Sequence, residues 1–257
     1  MTDFQALHAN RRTPRPLFAI GDMHGHADAL ATMLAHLRLV IDAEYGAAPV
    51  DLVHLGDYVD RGPDPLGVMA LVRDGLERDT VAEVALLGNH DWFLAAAAQL
   101  RGETLSLRQW NVWLSNGGRE TLDALGELSY TTARPERILT ALGPENATFL
   151  SNLSLSARFG DVLCVHAGID PGIALDDQRQ EDLIWIREPF LEPAEREQGW
   201  PPDVLVVHGH TPSAHGVFPH RIGVDTGGFH TGVFTALEIR DGRARFHHVV
   251  RDGVDLG

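Results

Sequence analysis

Short apolar runs that stop at polar, chemistry-bearing residues recur along this chain. Leu17 to Ile20 reads as a buried strand ending in Gly21-Asp22, and the next stretch places Leu30, Met33, Leu34 and Leu37 on one helical face. Val50 to Leu55 is a second strand closing on Gly56-Asp57; a helix over Leu66 to Leu76 follows behind Pro63 and Pro65. Val81 to Leu87 is a third strand, ending at Gly88-Asn89-His90-Asp91 before an alanine-rich helix from Trp92 to Leu100. From Arg101 to Leu155 the pattern is helical, with a turn at Gly117-Gly118 and no strong strand, so this region reads as a helical insertion beside a sheet. Strands resume at Val162 to Val165 before His166-Ala167-Gly168 and at Val204 to Val207 before His208-Gly209-His210-Thr211; Arg221 to Val250 alternates strand-like runs with glycine-rich turns, as antiparallel hairpins do. Strands alternating with helices predict an α/β fold, with ligands bound at the carboxyl ends of the strands.

Length sets the next bound: 257 residues fit a single domain, 1–257. A 44% hydrophobic and 22% charged composition is that of a globular enzyme rather than a disordered chain. A formal net charge of −15 disfavours long nucleic acids and anionic membrane surfaces as partners, so any anion must be held locally. All 21 basic residues are arginine, which excludes a P-loop lysine, a Schiff-base lysine and a kinase-type lysine. The single cysteine, Cys164, excludes an intrachain disulfide and a cysteine-based zinc cage; it lies in an apolar run and reads as a buried filler. Met1 to Pro16 is polar with no apolar leader region, and no window reaches the roughly 18 apolar residues of a membrane span, so the expected location is the cytoplasm.

Taken in order, Gly21-Asp22-Met23-His24-Gly25, Gly56-Asp57-Tyr58-Val59-Asp60-Arg61-Gly62, Gly88-Asn89-His90-Asp91, His166-Ala167-Gly168 and Gly209-His210-Thr211 each follow a strand. Together they resemble the phosphoprotein phosphatase branch of the calcineurin-like metallophosphoesterases, in its short bacterial or phage serine/threonine form. The resemblance runs from about Leu17 to Phe229. It implies a central β-sandwich of mixed sheets flanked by helices, with a dinuclear metal site at the strand ends. Asp22, His24 and Asp57 would bind one ion and Asp57, Asn89, His166 and His210 the other, with Asp57 as the bridge. Carboxylates, imidazoles and one amide oxygen suit borderline divalent ions, with Mn expected and Fe and Zn as alternatives, better than Ca or Mg.

The same resemblance assigns roles to neighbours. His90 matches the general acid and Asp60 its orienting carboxylate. Arg61 occupies the phosphate-binding position; Arg187, in Ile184-Trp185-Ile186-Arg187-Glu188, resembles the second phosphate-binding arginine, and Asn89 completes the positions facing the phosphoryl group. The implied reaction is phosphomonoester hydrolysis by in-line attack of a metal-activated water, on phosphoserine or phosphothreonine in proteins, with phosphotyrosine or a small phosphoester as further substrates. A symmetrical diadenosine tetraphosphate hydrolase shares the metal core. Those enzymes read Gly-Asp-x-Val-Ala-Arg-Gly, whereas this chain keeps Asp60 at the alanine, which favours the phosphatase. A metal-binding scaffold without catalysis would need a missing ligand or acid, and none is missing.

Other residues read more plainly. Nothing fixes the spacing of His26, His54, His215, His220, His230, His247 and His248, so structural or surface places are expected; His208, two residues from His210, would support the site without binding metal. Trp110, Trp113 and Trp185 are expected in packing, with a substrate surface as the alternative. Asn116-Gly117-Gly118-Arg119 resembles a stretch of the bacterial members and carries no assigned role. The 101–155 region is the expected source of substrate selectivity, removable without loss of hydrolysis of a small chromogenic phosphate. The sequence does not fix the oligomeric state.

Overall fold

A strand sends successive side chains to opposite faces, so runs that are apolar at every position must be covered on both sides. The computed structural model, which describes residues 2–8, 11–126, 133–192 and 204–251, shows how. In chain order the elements are β1 (Gln5–Ala6), β2 (Leu17–Ile20), α1 (Ala27–Glu44), β3 (Val50–His54), α2 (Pro65–Asp74), β4 (Val81–Ala85), α3 (Asn89–Ala97), α4 (Leu107–Trp113), α5 (Arg119–Ala124) and α6 (Pro135–Asn152). They continue with β5 (Ser156–Phe159), β6 (Val162–Val165), α7 (Gln180–Trp185), β7 (Leu205–His208), β8 (Gly216–Val217), β9 (Arg221–Gly223), α8 (Gly228–Thr231), β10 (Val233–Arg240) and β11 (Arg243–Val250).

Two mixed sheets form, ordered β1-β11-β10-β2-β3-β4 and β5-β6-β7-β9-β8. β2, β3 and β4 run parallel in the first, and β6, β7 and β9 in the second. Leu17 and Ala19 of β2 and Leu237 and Ile239 of β10 pack with Val162 and Cys164 of β6 and Leu205 and Val207 of β7, which is the seam between the sheets. The alternate residues face the helices: Phe18 and Ile20 join Leu30, Met33 and Leu37 of α1, while Leu163 and Val165 join Leu183 of α7 and Phe190. The fold is therefore an α/β sandwich of mixed sheets with helices outside. Phe18 is fully buried in this outer layer, and its truncation to alanine would cost about 3–5 kcal/mol.

Helix boundaries follow their caps. α2 opens with Pro65 after Asp64, whose carboxylate accepts the Gly67 N–H at 2.8 Å. α3 starts at Asn89, three residues before the expected Trp92, because Gly88 is its cap and the Asp91 carboxylate accepts the Gly88 N–H at 3.0 Å. This puts Asn89, His90 and Asp91 on the first turn. Within 101–155 the described residues include α4, α5 and α6, while Ser154 bridges Leu86; residues 127–132 lie outside the described residues.

Two expectations need correction. The last part is not hairpins alone: β10 and β11 are antiparallel, but β9 joins β7 in parallel and α8 is a helical turn. β1 and β5, both on sheet edges, went unread because β1 spans only Gln5–Ala6 and β5 carries arginine and serine among its apolar positions. On the outer face of β10, buried Glu238 accepts from Arg245 Nε at 2.6 Å, from His247 Nε2 at 2.9 Å and from the Tyr45 hydroxyl, so its charge is paired. No helix among the described residues is long and apolar enough to cross a membrane.

Candidate active site

All the predicted ligands lie just past the carboxyl ends of parallel strands: Asp22 and His24 after β2, Asp57 after β3, Asn89 after β4, His166 after β6 and His210 after β7. Tight turns deliver them. Among the described non-glycine residues with positive φ are His24, Asp57, Asp60, Arg61 and His210, conformations that cost of order 1–3 kcal/mol each and cluster where a site is held in shape. Gly88 is required by closeness: a Cβ there would stand 2.2 Å from Asp57 Oδ1.

Asp57, His166 and His210 bring ligand atoms within 4.8 Å of one another, and so do His24, Asp57 and His90, with Asp57 common to both groups. All are buried. Backbone carbonyls fix the ring protons: His166 Nδ1 donates to Leu55 O at 2.9 Å and His24 Nδ1 to Val59 O at 3.0 Å. Each ring then turns its Nε2 lone pair inward, and that of His24 also meets Arg61 Nη1 at 2.6 Å. His166 Nε2 faces Asn89 Oδ1 at 3.0 Å and Asp57 Oδ1 at 3.4 Å; His24 Nε2 faces Asp57 Oδ2 at 3.5 Å. His210 Nε2 is buried with no hydrogen-bond partner among the described residues. Acceptors facing acceptors in a dry site are repulsive unless a cation lies between them, so the residues fit two adjacent metal ions. Burial keeps His24, His166 and His210 below the ordinary histidine range, hence neutral and able to ligate.

His90 belongs to this cluster by position but not by bonding. Its Nδ1 is 2.6 Å from Asp60 Oδ2, leaving Nε2 directed toward Arg61 Nη2 at 2.9 Å. Burial alone would lower its pKa, but the Asp57 charge and the Asp60 hydrogen bond raise it above the ordinary histidine value. Asp60 is fully buried and also accepts Trp113 Nε1–H at 2.8 Å and the Thr121 hydroxyl at 2.6 Å. Arg61 Nη1 reaches His24 Nε2 at 2.6 Å, and its guanidinium lies 4.3 Å over the Phe229 ring. The Arg61 N–H donates to Gly117 O at 3.1 Å.

Arg187 is exposed, and its charge is felt at His166 and His210, so it stands at the rim of the site. Trp185, half-buried, packs edge-on to His210 and Phe93. β7 ends at His208, whose ring packs on Phe190 with Nδ1 at 3.0 Å from Gly209 O; it supports the loop. His26 is buried, with Nδ1 2.7 Å from His24 O.

Four contributors escaped the sequence. The Asp91 carboxylate takes the N–H groups of Asp57, Tyr58 and Gly88 at 2.7, 2.9 and 3.0 Å, and burial with the Asp57 charge pushes it up to about 7. Asp225, past β9, accepts the Gly227 N–H at 2.7 Å, and burial lifts it to about 6; burial and the Asp225 charge raise Asp22 too. Trp113 and Thr121 reach Asp60 from the helical region. The 101–155 region therefore also touches the His90–Asp60 pair and Arg61: removing it would strip two donors from Asp60 and two carbonyls from Arg61. The Asn116-Gly117-Gly118-Arg119 stretch, left without a role, is where Asn116 O and Gly117 O receive Arg61 Nε and N.

Serine/threonine-protein phosphatase 1 of Salmonella typhimurium is 32% identical over 104 residues, 40% of this chain and 39% of that protein. Among solved structures, a candidate diadenosine tetraphosphatase superposes with a TM-score of 0.62 at 20% identity, covering 96% of both chains. A point mutant of a cold-active protein tyrosine phosphatase gives 0.64 at 19% identity, covering 95% of this chain and 83% of that one. At such identities the structures establish the fold alone. The profile of the calcineurin-like phosphoesterases, by contrast, matches residues 15–233, so the chain belongs to that family, and its paired His/Asp clusters could hold metal ions.

Proposed function

We propose that the chain hydrolyses phosphomonoesters of proteins, phosphoserine and phosphothreonine first, with Asp22, His24 and Asp57 holding one divalent ion and Asp57, Asn89, His166 and His210 the other. Mn is the proposed ion, with Fe and Zn as alternatives that the same carboxylate and imidazole donors accept. When bound, such ions would supply Lewis acidity toward phosphoryl oxygens and a water of lowered pKa. The protein's own work is positioning and proton transfer. Arg61, steadied by Phe229, and Arg187 at the rim grip the phosphoryl oxygens. His90 gives its Nε2 proton to the leaving alkoxide while Asp60 holds the Nδ1–H, keeping one tautomer and one direction.

The observation that carries this reading is the 2.6 Å contact of His90 Nδ1 with buried Asp60. An imidazole oriented in this way serves a poor leaving group such as the serine alkoxide; the dinucleoside polyphosphate hydrolases resembled in the metal core lack the carboxylate. The test is phosphate release by metal-stripped, Mn-reloaded protein on phosphoserine, phosphothreonine and phosphotyrosine peptides beside diadenosine tetraphosphate. Turnover of peptides with a nearly inert dinucleotide is expected. The reverse would make it a nucleotide hydrolase.

A further inference from the structure

The proposed acid, His90, depends on a carboxylate that is itself held by a distant part of the chain. Asp60 lies in a turn at φ 71°, fully buried, and a carboxylate on so short a side chain can still rotate about its last bond. Three donors address it. His90 Nδ1–H and Trp113 Nε1–H share Oδ2 at 2.6 and 2.8 Å, while the Thr121 hydroxyl takes Oδ1 at 2.6 Å. Thr121 Oγ also accepts the Asp60 N–H at 2.9 Å, so one hydroxyl fixes both the backbone and the far oxygen of the same residue. Trp113 and Thr121 are fully buried and come from the ends of two short helices, α4 and α5, joined by the Leu114–Gly118 turn. That turn is closely fitted, since a Cβ on Gly118 would lie 2.6 Å from the Trp113 indole.

From this we infer that Trp113 and Thr121 are positioning residues for proton donation. With Oδ1 pinned by Thr121 and one direction of Oδ2 filled by Trp113, the carboxylate plane is set and the remaining Oδ2 lone pair points at His90. Withdrawing either donor frees the plane, lets the imidazole turn, and moves Nε2 off the leaving oxygen. The step served is the transfer of the Nε2 proton to the leaving oxygen as the P–O bond breaks, with water supplying the oxygen that stays on phosphorus. The helical region thereby becomes part of the catalytic apparatus.

The inference rests on the reading of His90 as the acid, and leaving-group dependence separates the two. Proton donation matters for an alkoxide and little for 4-nitrophenolate. Trp113→Phe, Thr121→Val, Thr121→Ser and His90→Asn would each be Mn-loaded and assayed on a phosphoserine peptide and on 4-nitrophenyl phosphate, with metal content and melting temperature measured. His90→Asn should lose far more kcat on the peptide than on the aryl ester. Trp113→Phe and Thr121→Val should show the same skew, about tenfold or more on the peptide with KM near wild type, while Thr121→Ser retains activity on both. If Trp113→Phe does not fold, the Thr121 pair carries the test alone. An equal loss on both substrates, or none, in Trp113→Phe and Thr121→Val beside a skewed His90→Asn overturns the positioning role. A His90→Asn variant with no skew overturns the acid reading itself, and the positioning role falls with it.

Discussion

Replacing Asp91 with alanine tests whether one buried carboxylate holds two ligand loops together. Asp91 is fully buried and accepts the Asp57, Tyr58 and Gly88 N–H groups at 2.7–3.0 Å, so it ties the loop after β3 to the cap of α3. Truncation orphans three buried donors at about 1–3 kcal/mol each. Two effects reduce the sum. A water can enter the space left by the carboxyl group and meet some donors, and the strain of an acid pushed up to about 7 by burial and by Asp57 is relieved. The net loss should be about 2–5 kcal/mol; Asp91→Asn, whose amide oxygen still accepts, should lose about 1–2 kcal/mol. Urea unfolding of chelator-treated protein measures this without metal binding adding to stability. A loss below about 1 kcal/mol in Asp91→Ala would refute the reasoning, because the three N–H groups would then be as well satisfied without Asp91.

Three further outcomes follow from the geometry. Gly117 sits at φ 108°, and a Cβ added there would lie only 2.5 Å from Arg61 Cγ, so Gly117→Ala should cost more than about 1 kcal/mol and raise KM for phosphoester substrates, seen in parallel melts and kinetics. Arg187→Ala should raise KM with metal content unchanged, since Arg187 is exposed at the rim and not among the converging ligand atoms; a loss of metal would contradict this placement. Burial alone would raise Glu238, but hydrogen bonds from His247, Tyr45 and Arg245 outweigh it and hold Glu238 below the ordinary glutamate range. The folded state then binds this proton less readily than the unfolded chain. Its stabilisation is therefore present above the ordinary glutamate range and lost as pH falls toward the folded value. Glu238→Gln should flatten the fall in melting temperature as the pH drops below about 4.3; an unchanged slope there would argue against it.

What the sequence made legible and what it hid differ in kind. The placement of Asp22, Asp57, Asn89, His166 and His210 at strand ends was readable because each follows an apolar run, while the roles expected of them came from the resemblance of their motifs to a family. His90 and Asp60 were readable from the motifs that contain them. Asp91, Asp225, Trp113 and Thr121 were not, since each works through a contact that local spacing does not encode. Thr121 and Trp113 meet Asp60 across 61 and 53 residues. Asp225 sits in Gly223-Val224-Asp225-Thr226-Gly227, which reads as an ordinary turn until β9 joins β7 in parallel and carries it to Asp22. The early start of α3 was hidden for a related reason: a glycine cap closed by Asp91 looks like loop until the carboxylate is seen to turn back.

The central claim is a two-ion site bridged by Asp57. Crystals grown with Mn, with anomalous scattering recorded, test it directly. The account predicts two peaks about 3.5–4 Å apart on either side of the Asp57 carboxylate, one beside Asp22 and His24 and the other beside Asn89, His166 and His210, with at least one lost in Asp57→Asn. A single peak, or two peaks that survive Asp57→Asn unchanged, would contradict it.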